Sequence, residues 1–121
     1  NFETRYVSNT AAVKTKKPLV SGALSPWEGQ VSVFAPHERG PCYECVFPTP
    51  PKDDLIITCS EGGVFSPLPG VIGSVMAVET LKILSRSGDV LLGQMFIYDG
   101  LNGESRKIKI NPSKKCPICS I

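Results

Sequence analysis

Two Cys-x-x-Cys pairs, Cys42/Cys45 and Cys116/Cys119, lie far apart in this sequence and restrict its fold more than any other feature. Two residues between a pair of cysteines let the backbone turn so that both sulfurs face one centre. Two such pairs complete a tetrahedral shell of thiolates at ~2.3 Å around a zinc ion. Pro41 before the first pair and Pro117 inside the second favour tight turns. The pairs are too far apart for a small zinc finger. A shared metal would instead staple the end of the chain onto the start of a long loop, restraining the unfolded chain and adding folding free energy. Two disulfides or four buried thiols are the other readings. Nothing in the composition points to a secretory context, so zinc is preferred. With all four positions filled by protein, no site stays open for catalysis, and the metal is expected to be structural.

The 121 residues suit one domain, or one lobe of a larger one, with enough chain to bury a core. Net charge is only +2, which argues against nucleic-acid or membrane binding. The clusters Lys14/Lys16/Lys17 and Lys114/Lys115 read as solvated surface. No stretch approaches the ~18 consecutive apolar residues of a membrane span. Asn1 to Arg5 lack the basic start and apolar run of a signal peptide. A cytoplasmic location is therefore expected.

Asn1 to about Thr15 reads as a helix capped by Asn1, with Phe2, Tyr6, Val7 and Val13 as its apolar stripe, ended by Pro18. Leu19 to Leu24 reads as a strand buried on both faces. Gln30 to Ala35 alternates, with Val31, Val33 and Ala35 on one face, and reads as a second strand. Regular structure then fades from Pro36 to Gly70, a length of loop that is usually functional or disordered. Apolar anchors such as Val46, Phe47, Ile56 and Phe65 favour the functional alternative. Val71 to Arg86 is the clearest helix, with Val71, Val75, Val78, Leu81 and Leu84 as its expected buried stripe and Gly88 as its stop. Leu91 to Tyr98 and Arg106 to Ile110 read as a hairpin turning at Asp99–Gly103.

Cys59 stands alone in Thr58-Cys59-Ser60-Glu61-Gly62-Gly63. A reactive thiol needs exposure and a lowered pKa. The glycines offer exposure, but Glu61 works against the second requirement, so filler and nucleophile remain equal readings. His37, the single histidine, reads as a solvated turn residue. Asp99 reads as a turn former.

Several stretches together resemble the MoeB/ThiF/HesA family of carrier-protein adenylyltransferases. They are Asn1-Phe2-Glu3-Thr4-Arg5, Lys17-Pro18-Leu19-Val20, Gly29-Gln30-Val31, and Gly40-Pro41-Cys42-Tyr43-Glu44-Cys45-Val46-Phe47-Pro48. Cys59-Ser60-Glu61-Gly62-Gly63-Val64, Pro69-Gly70-Val71-Ile72-Gly73-Ser74, Tyr98-Asp99-Gly100 and Cys116-Pro117-Ile118-Cys119 continue the series in the family's order. Each is weak alone; the ordered series covers nearly the whole chain and is specific.

The resemblance implies an α/β fold, the C-terminal lobe of a Rossmann-like, ubiquitin-activating-type adenylation domain. That lobe would have a mixed sheet, helices and a four-cysteine zinc site at Cys42, Cys45, Cys116 and Cys119. It implies ATP and magnesium as cofactors of the intact enzyme, and adenylation of the C-terminal Gly-Gly of a ubiquitin-like sulfur carrier of the MoaD/ThiS type. The pathway would be molybdopterin, thiamin or tRNA thiolation, and the intact enzyme would be a homodimer. Val46 to Gly63 would be the crossover loop over the partner's tail, and Asn1 and Arg5 would line the nucleotide and tail site. Cys59 matches a cysteine that in some members bonds covalently to the carrier. No G-x-G-x-x-G occurs here, and the family's magnesium-binding Asp would directly precede Asn1. A lobe without its nucleotide-binding half, inactive alone, is therefore expected. The other readings are a non-catalytic, zinc-stapled module that docks a ubiquitin-like partner, and a thiol redox protein.

Overall fold

The computed structural model describes residues 2–49 and 63–120. Helix α1 (Phe2–Thr15) is followed by strands β1 (Leu19–Leu24) and β2 (Glu28–Phe34), a 3-10 turn (Pro36–Glu38) and the single-turn helix α2 (Tyr43–Val46). Helix α3 (Leu68–Ser85) and strands β3 (Gln94–Asp99) and β4 (Glu104–Lys109) complete the regular structure of the described residues.

The four strands pair in sequence order, β1-β2-β3-β4. A mixed sheet was expected. Among the described residues all three ladders are antiparallel, and the one parallel contact is the isolated bridge between Val33 and Leu92. The short turns of β1–β2 and β3–β4 permit only antiparallel pairing, whereas the long connection from β2 to β3, which carries α3, leaves that direction to tertiary packing. Pairings such as Val20 with Val33, and Val31 with both Gly22 and Phe96, put these residues on one face. Leu19 with Phe34, and Ser32 with Met95, fall on the other.

The first face packs against α3. Val31, Val33, Leu68, Ile72 and Leu91 form its buried cluster. The helix comes close because two facing strand residues lack side chains. A Cβ at Gly22 would lie 2.3 Å from Met76 Sδ, and one at Gly29 would lie 2.3 Å from Ile72 Cγ1. The second face carries Phe34, Tyr43, Met95, Ile97 and Ile110, closed over by Tyr6 of α1 and by Val46 and Phe47. The molecule is thus layered, with α3 on one side of the sheet and α1 with the cysteine turns on the other.

The inward stripe of α3 differs from the one expected. Leu68, Ile72 and Glu79 are its buried residues, with Val75, Met76 and Ile83 partly covered. Val78, Leu81 and Leu84 are exposed by 54%, 64% and 76%. Apolar residues surround this helix, so periodicity alone does not select a face. By length and composition α3 could cross a membrane, but the sheet covers its Leu68–Ile72 stripe. Buried Glu79 accepts a 2.6 Å hydrogen bond from Leu91 N–H and pairs with Lys82 at 2.5 Å. Lys82 also donates to the Asp89 carbonyl at 2.6 Å, so the segment after α3 is clipped to the helix.

Arg86 ends α3 in the left-handed region at φ 56°, with Arg86 N–H reaching Ile83 O and Ser87 N–H reaching Lys82 O. Gly88, the expected stop, lies two residues further on. Lys16 closes α1 in the same way at φ 55°. On α1 the inward residues are Tyr6 and Asn9, while Val7 is 64% exposed. Strand β1 keeps its expected limits but is half-buried rather than covered on both faces.

Candidate metal centre

The approach to the first cysteine turn is set by its backbone conformation. After the 3-10 turn, Arg39 adopts a left-handed conformation (φ 71°) that redirects the chain. Gly40 then passes so near the sheet that a Cβ would lie 2.5 Å from Leu92 Cδ1. Buried Pro41 leads to extended Cys42, whose carbonyl accepts Cys45 N–H at 3.1 Å. One turn of α2 therefore separates the first two thiols. The second pair turns similarly. Cys116 N–H reaches Ser113 O at 3.2 Å, and the Ser120 hydroxyl donates to Cys116 O.

The two turns bring all four sulfurs together, each within 4.8 Å of the others. Cys42 Sγ lies 3.5 Å from Cys116 Sγ, Cys45 Sγ 3.3 Å from Cys119 Sγ, and Cys45 Sγ 3.8 Å from Cys42 Sγ. A disulfide would require ~2.05 Å. Four thiolates at ~2.3 Å from a central zinc sit ~3.8 Å apart in a regular tetrahedron. The cluster has that chemistry and nearly that size, so the residues present fit a zinc ion. Cys42 and Cys116 are buried, whereas Cys45 and Cys119 are half-buried.

Burial raises the Cys42 thiol pKa, although the Asn9 amide and Cys45 N–H oppose it. Burial and neighbouring thiols push Cys119 up. At Cys116 burial also disfavours the thiolate, but the backbone N–H groups of Cys119 and Ile118, with the Cys42 and Cys119 thiols, together outweigh it, and the pKa falls. In each turn the leading cysteine thus receives backbone donors from the residues after it. Those donors favour the deprotonated sulfur that a metal requires.

The other sequence candidates lie elsewhere or outside the described residues. Arg5 is on α1, where its guanidinium donates to Gly22 O at 3.0 Å and Ser21 Oγ at 3.4 Å. It lines a concavity of about 200 Å³ with Thr4, Ser8, Tyr43 and Met76. Asn1 and Cys59 lie outside the described residues, as does the 50–62 part of the expected loop. His37 is an exposed residue of the 3-10 turn. Asp99 organises the β3–β4 turn, accepting Leu101 N–H at 2.9 Å and Asn102 N–H at 3.2 Å. Hydrogen bonds from the Asn102 side chain and backbone hold its carboxyl below the usual range.

Asn9 was not singled out from the sequence. It is 1% exposed and donates to both Cys42 Sγ (3.5 Å) and Glu44 Oε2 (3.1 Å). The one available signal was a polar residue one turn after Arg5 on an otherwise inward-facing stripe.

The geometry joins a four-thiol site to an antiparallel sheet sandwiched by two long helices. The model of the ThiF family matches residues 1–118. The chain belongs to the ThiF family.

This ThiF-family chain is 46% identical over 123 residues to a "Sulfur carrier protein adenylyltransferase" of Thermus thermophilus. The match covers 98% of this chain and 45% of the relative. It is also 46% identical over 121 residues to "Adenylyltransferase and sulfurtransferase MOCS3" of Dictyostelium discoideum, covering 98% of this chain and 28% of the relative. The chain thus spans less than half the length of these curated relatives. Among solved structures, E. coli MccB with MccA-N7isoASN superposes with a TM-score of 0.78 at 15% identity, covering 99% of this chain and 38% of that one. At that identity the likeness concerns the fold, which is of the MccB/ThiF adenylation type.

Proposed function

We propose that this chain is the metal-bearing, C-terminal part of an ATP-dependent adenylyltransferase acting on the C-terminal Gly-Gly of a ubiquitin-like sulfur carrier of the MoaD/ThiS type. The observation that carries this reading is 46% identity, over 98% of the chain, to a relative named for that activity. The carrier serves molybdopterin, thiamin or tRNA-thiolation chemistry, and the intact enzyme is a cytoplasmic homodimer.

The reaction activates a carboxylate. A carboxylate oxygen of the carrier's last glycine attacks the α-phosphorus of ATP, pyrophosphate leaves, and an acyl-adenylate forms. Magnesium, when bound, would offset the phosphate charge, and holding the reactants in line would supply much of the rate. Arg5, already fixed to β1, contributes positive charge to the site for the nucleotide and the carrier tail. The 46–63 segment crosses over that tail. Cys59 then attacks the acyl carbon as thiolate, AMP departs, and the carrier is held as a thioester. The residues that cradle the nucleotide phosphates lie outside these 121 residues, which hold no G-x-G-x-x-G. Cys42, Cys45, Cys116 and Cys119 hold a structural zinc with no position open to substrate.

Carrier-dependent exchange of labelled pyrophosphate into ATP by the intact protein tests the reading. Exchange that needs the terminal Gly-Gly is expected. Binding of a carrier with no exchange would replace the enzyme by a docking module. For Cys59, unchanged adenylation and sulfur transfer in Cys59→Ala would remove the covalent step alone.

A further inference from the structure

The amide of Asn9, the single buried side chain of α1, is fully bonded beside the sulfurs. Its Oδ1 accepts Tyr43 N–H at 2.9 Å. One Nδ2–H points to Cys42 Sγ at 3.5 Å and the other to Glu44 Oε2 at 3.1 Å. These partners fix the amide's orientation. A flipped group would aim Oδ1 at a carboxylate and a sulfur, and would set two donors against each other at Tyr43 N. Asparagine in a helix interior also costs about 0.5–0.7 kcal/mol relative to alanine, and its buried amide is tolerated only because every bond is made. Nothing in the packing of α1 requires that amide. Its three bonds all go to the turn that carries the first ligand pair.

We propose that Asn9 is a positioning residue of the metal centre, donating an N–H···S bond to the Cys42 thiolate and tying the first ligand turn to α1. This rests on the zinc reading above. An N–H donor draws charge from a metal-bound thiolate. Partners that orient ligands from just outside the coordination shell typically change metal affinity about 10–100-fold when removed. Tyr6 on the same helix provides the contrast. Its hydroxyl donates to a backbone oxygen, Phe47 O, at 2.9 Å.

The experiment uses the intact protein, reduced, stripped of metal and reloaded with zinc or with cobalt(II) as a spectroscopic probe. Asn9→Asp keeps an oxygen for Tyr43 N–H but loses the donor to sulfur. It should bind zinc about 10–100-fold more weakly in competition with a chromophoric chelator. Its thiolate-to-cobalt charge-transfer band should move to lower energy, because the sulfur lone pair is no longer held down by the bond. Tyr6→Phe should leave the band where it is. Asn9→Ala, which places no charge beside Glu44, gives the same reading if the aspartate variant does not fold. A charge-transfer band unmoved in both Asn9 variants, or moved equally by Tyr6→Phe, overturns the proposal. A wild-type protein that takes up neither metal removes the zinc reading itself, a distinguishable result.

Discussion

The two faces of the sheet are held by different physics. Toward α3 the contact is apolar and close. Val31, Val33, Leu68 and Ile72 pack together, and bare backbone at Gly22 and Gly29 admits the helix. Toward α1 the contact is directional. Arg5, Tyr6 and Asn9 each reach backbone or side-chain partners on β1 or the first cysteine turn. Burial on the first face depends on shape and is indifferent to metal. The second face has an apolar cluster of its own, but the cysteine turns packed on it gather four thiols that a cation would join. One side of the sheet should therefore be robust and the other conditional.

The largest test of that contrast is metal removal. Structural zinc contributes on the order of 10 kcal/mol in small zinc-dependent folds, and a substantial part of this protein's stability should go with it. Chelation under reducing conditions should lower the melting temperature. It should speed amide exchange in α2 and around Cys116–Cys119 well before α3, β1 and β2. Uniform loss of protection would erase the distinction between the faces.

On the apolar side, Glu79→Ala should cost about 3 kcal/mol, measured by urea unfolding. It leaves Leu91 N–H buried without an acceptor and Lys82 without its carboxylate. Metal content should stay at the wild-type level. Gly29→Ala should cost about 2 kcal/mol through overpacking against Ile72, whose branched side chain yields little. Gly22→Ala meets the more pliable Met76 and should cost less, so equal losses would mean that helix–sheet spacing is not set at Gly29. The smallest effect is a gain. Arg86→Gly relieves a left-handed residue at the end of α3 and should add about 1 kcal/mol, read as a raised urea midpoint.

Much of the site was legible because its signals are local. A two-residue gap between cysteines is the same instruction wherever it occurs, and prolines and glycines mark the turns that carry it. Leu19 to Leu24 was bounded by Pro18 and by the Ser25-Pro26 turn, and the observed strand keeps those limits. The α3 face was not legible, since Val71, Ile72, Val75, Met76, Val78, Leu81, Ile83 and Leu84 leave no polar side to decide it. Gly88 looked like the stop, but the hydrogen bonds close at Arg86. No pattern in α1 alone could reveal that Asn9 meets a sulfur from a turn more than thirty residues on.

Sequence by itself determined the family, the two cysteine pairs and the order of the two long helices and four strands, because short-range spacing and turn chemistry encode them. The single turn of α2 fell in an expected loop. Tertiary structure decided which stripe of α3 is inward, that the sheet is antiparallel throughout its ladders, and that Asn9 serves the cysteine turn. Those outcomes depend on which surfaces meet, and such a meeting is a property of two distant segments at once.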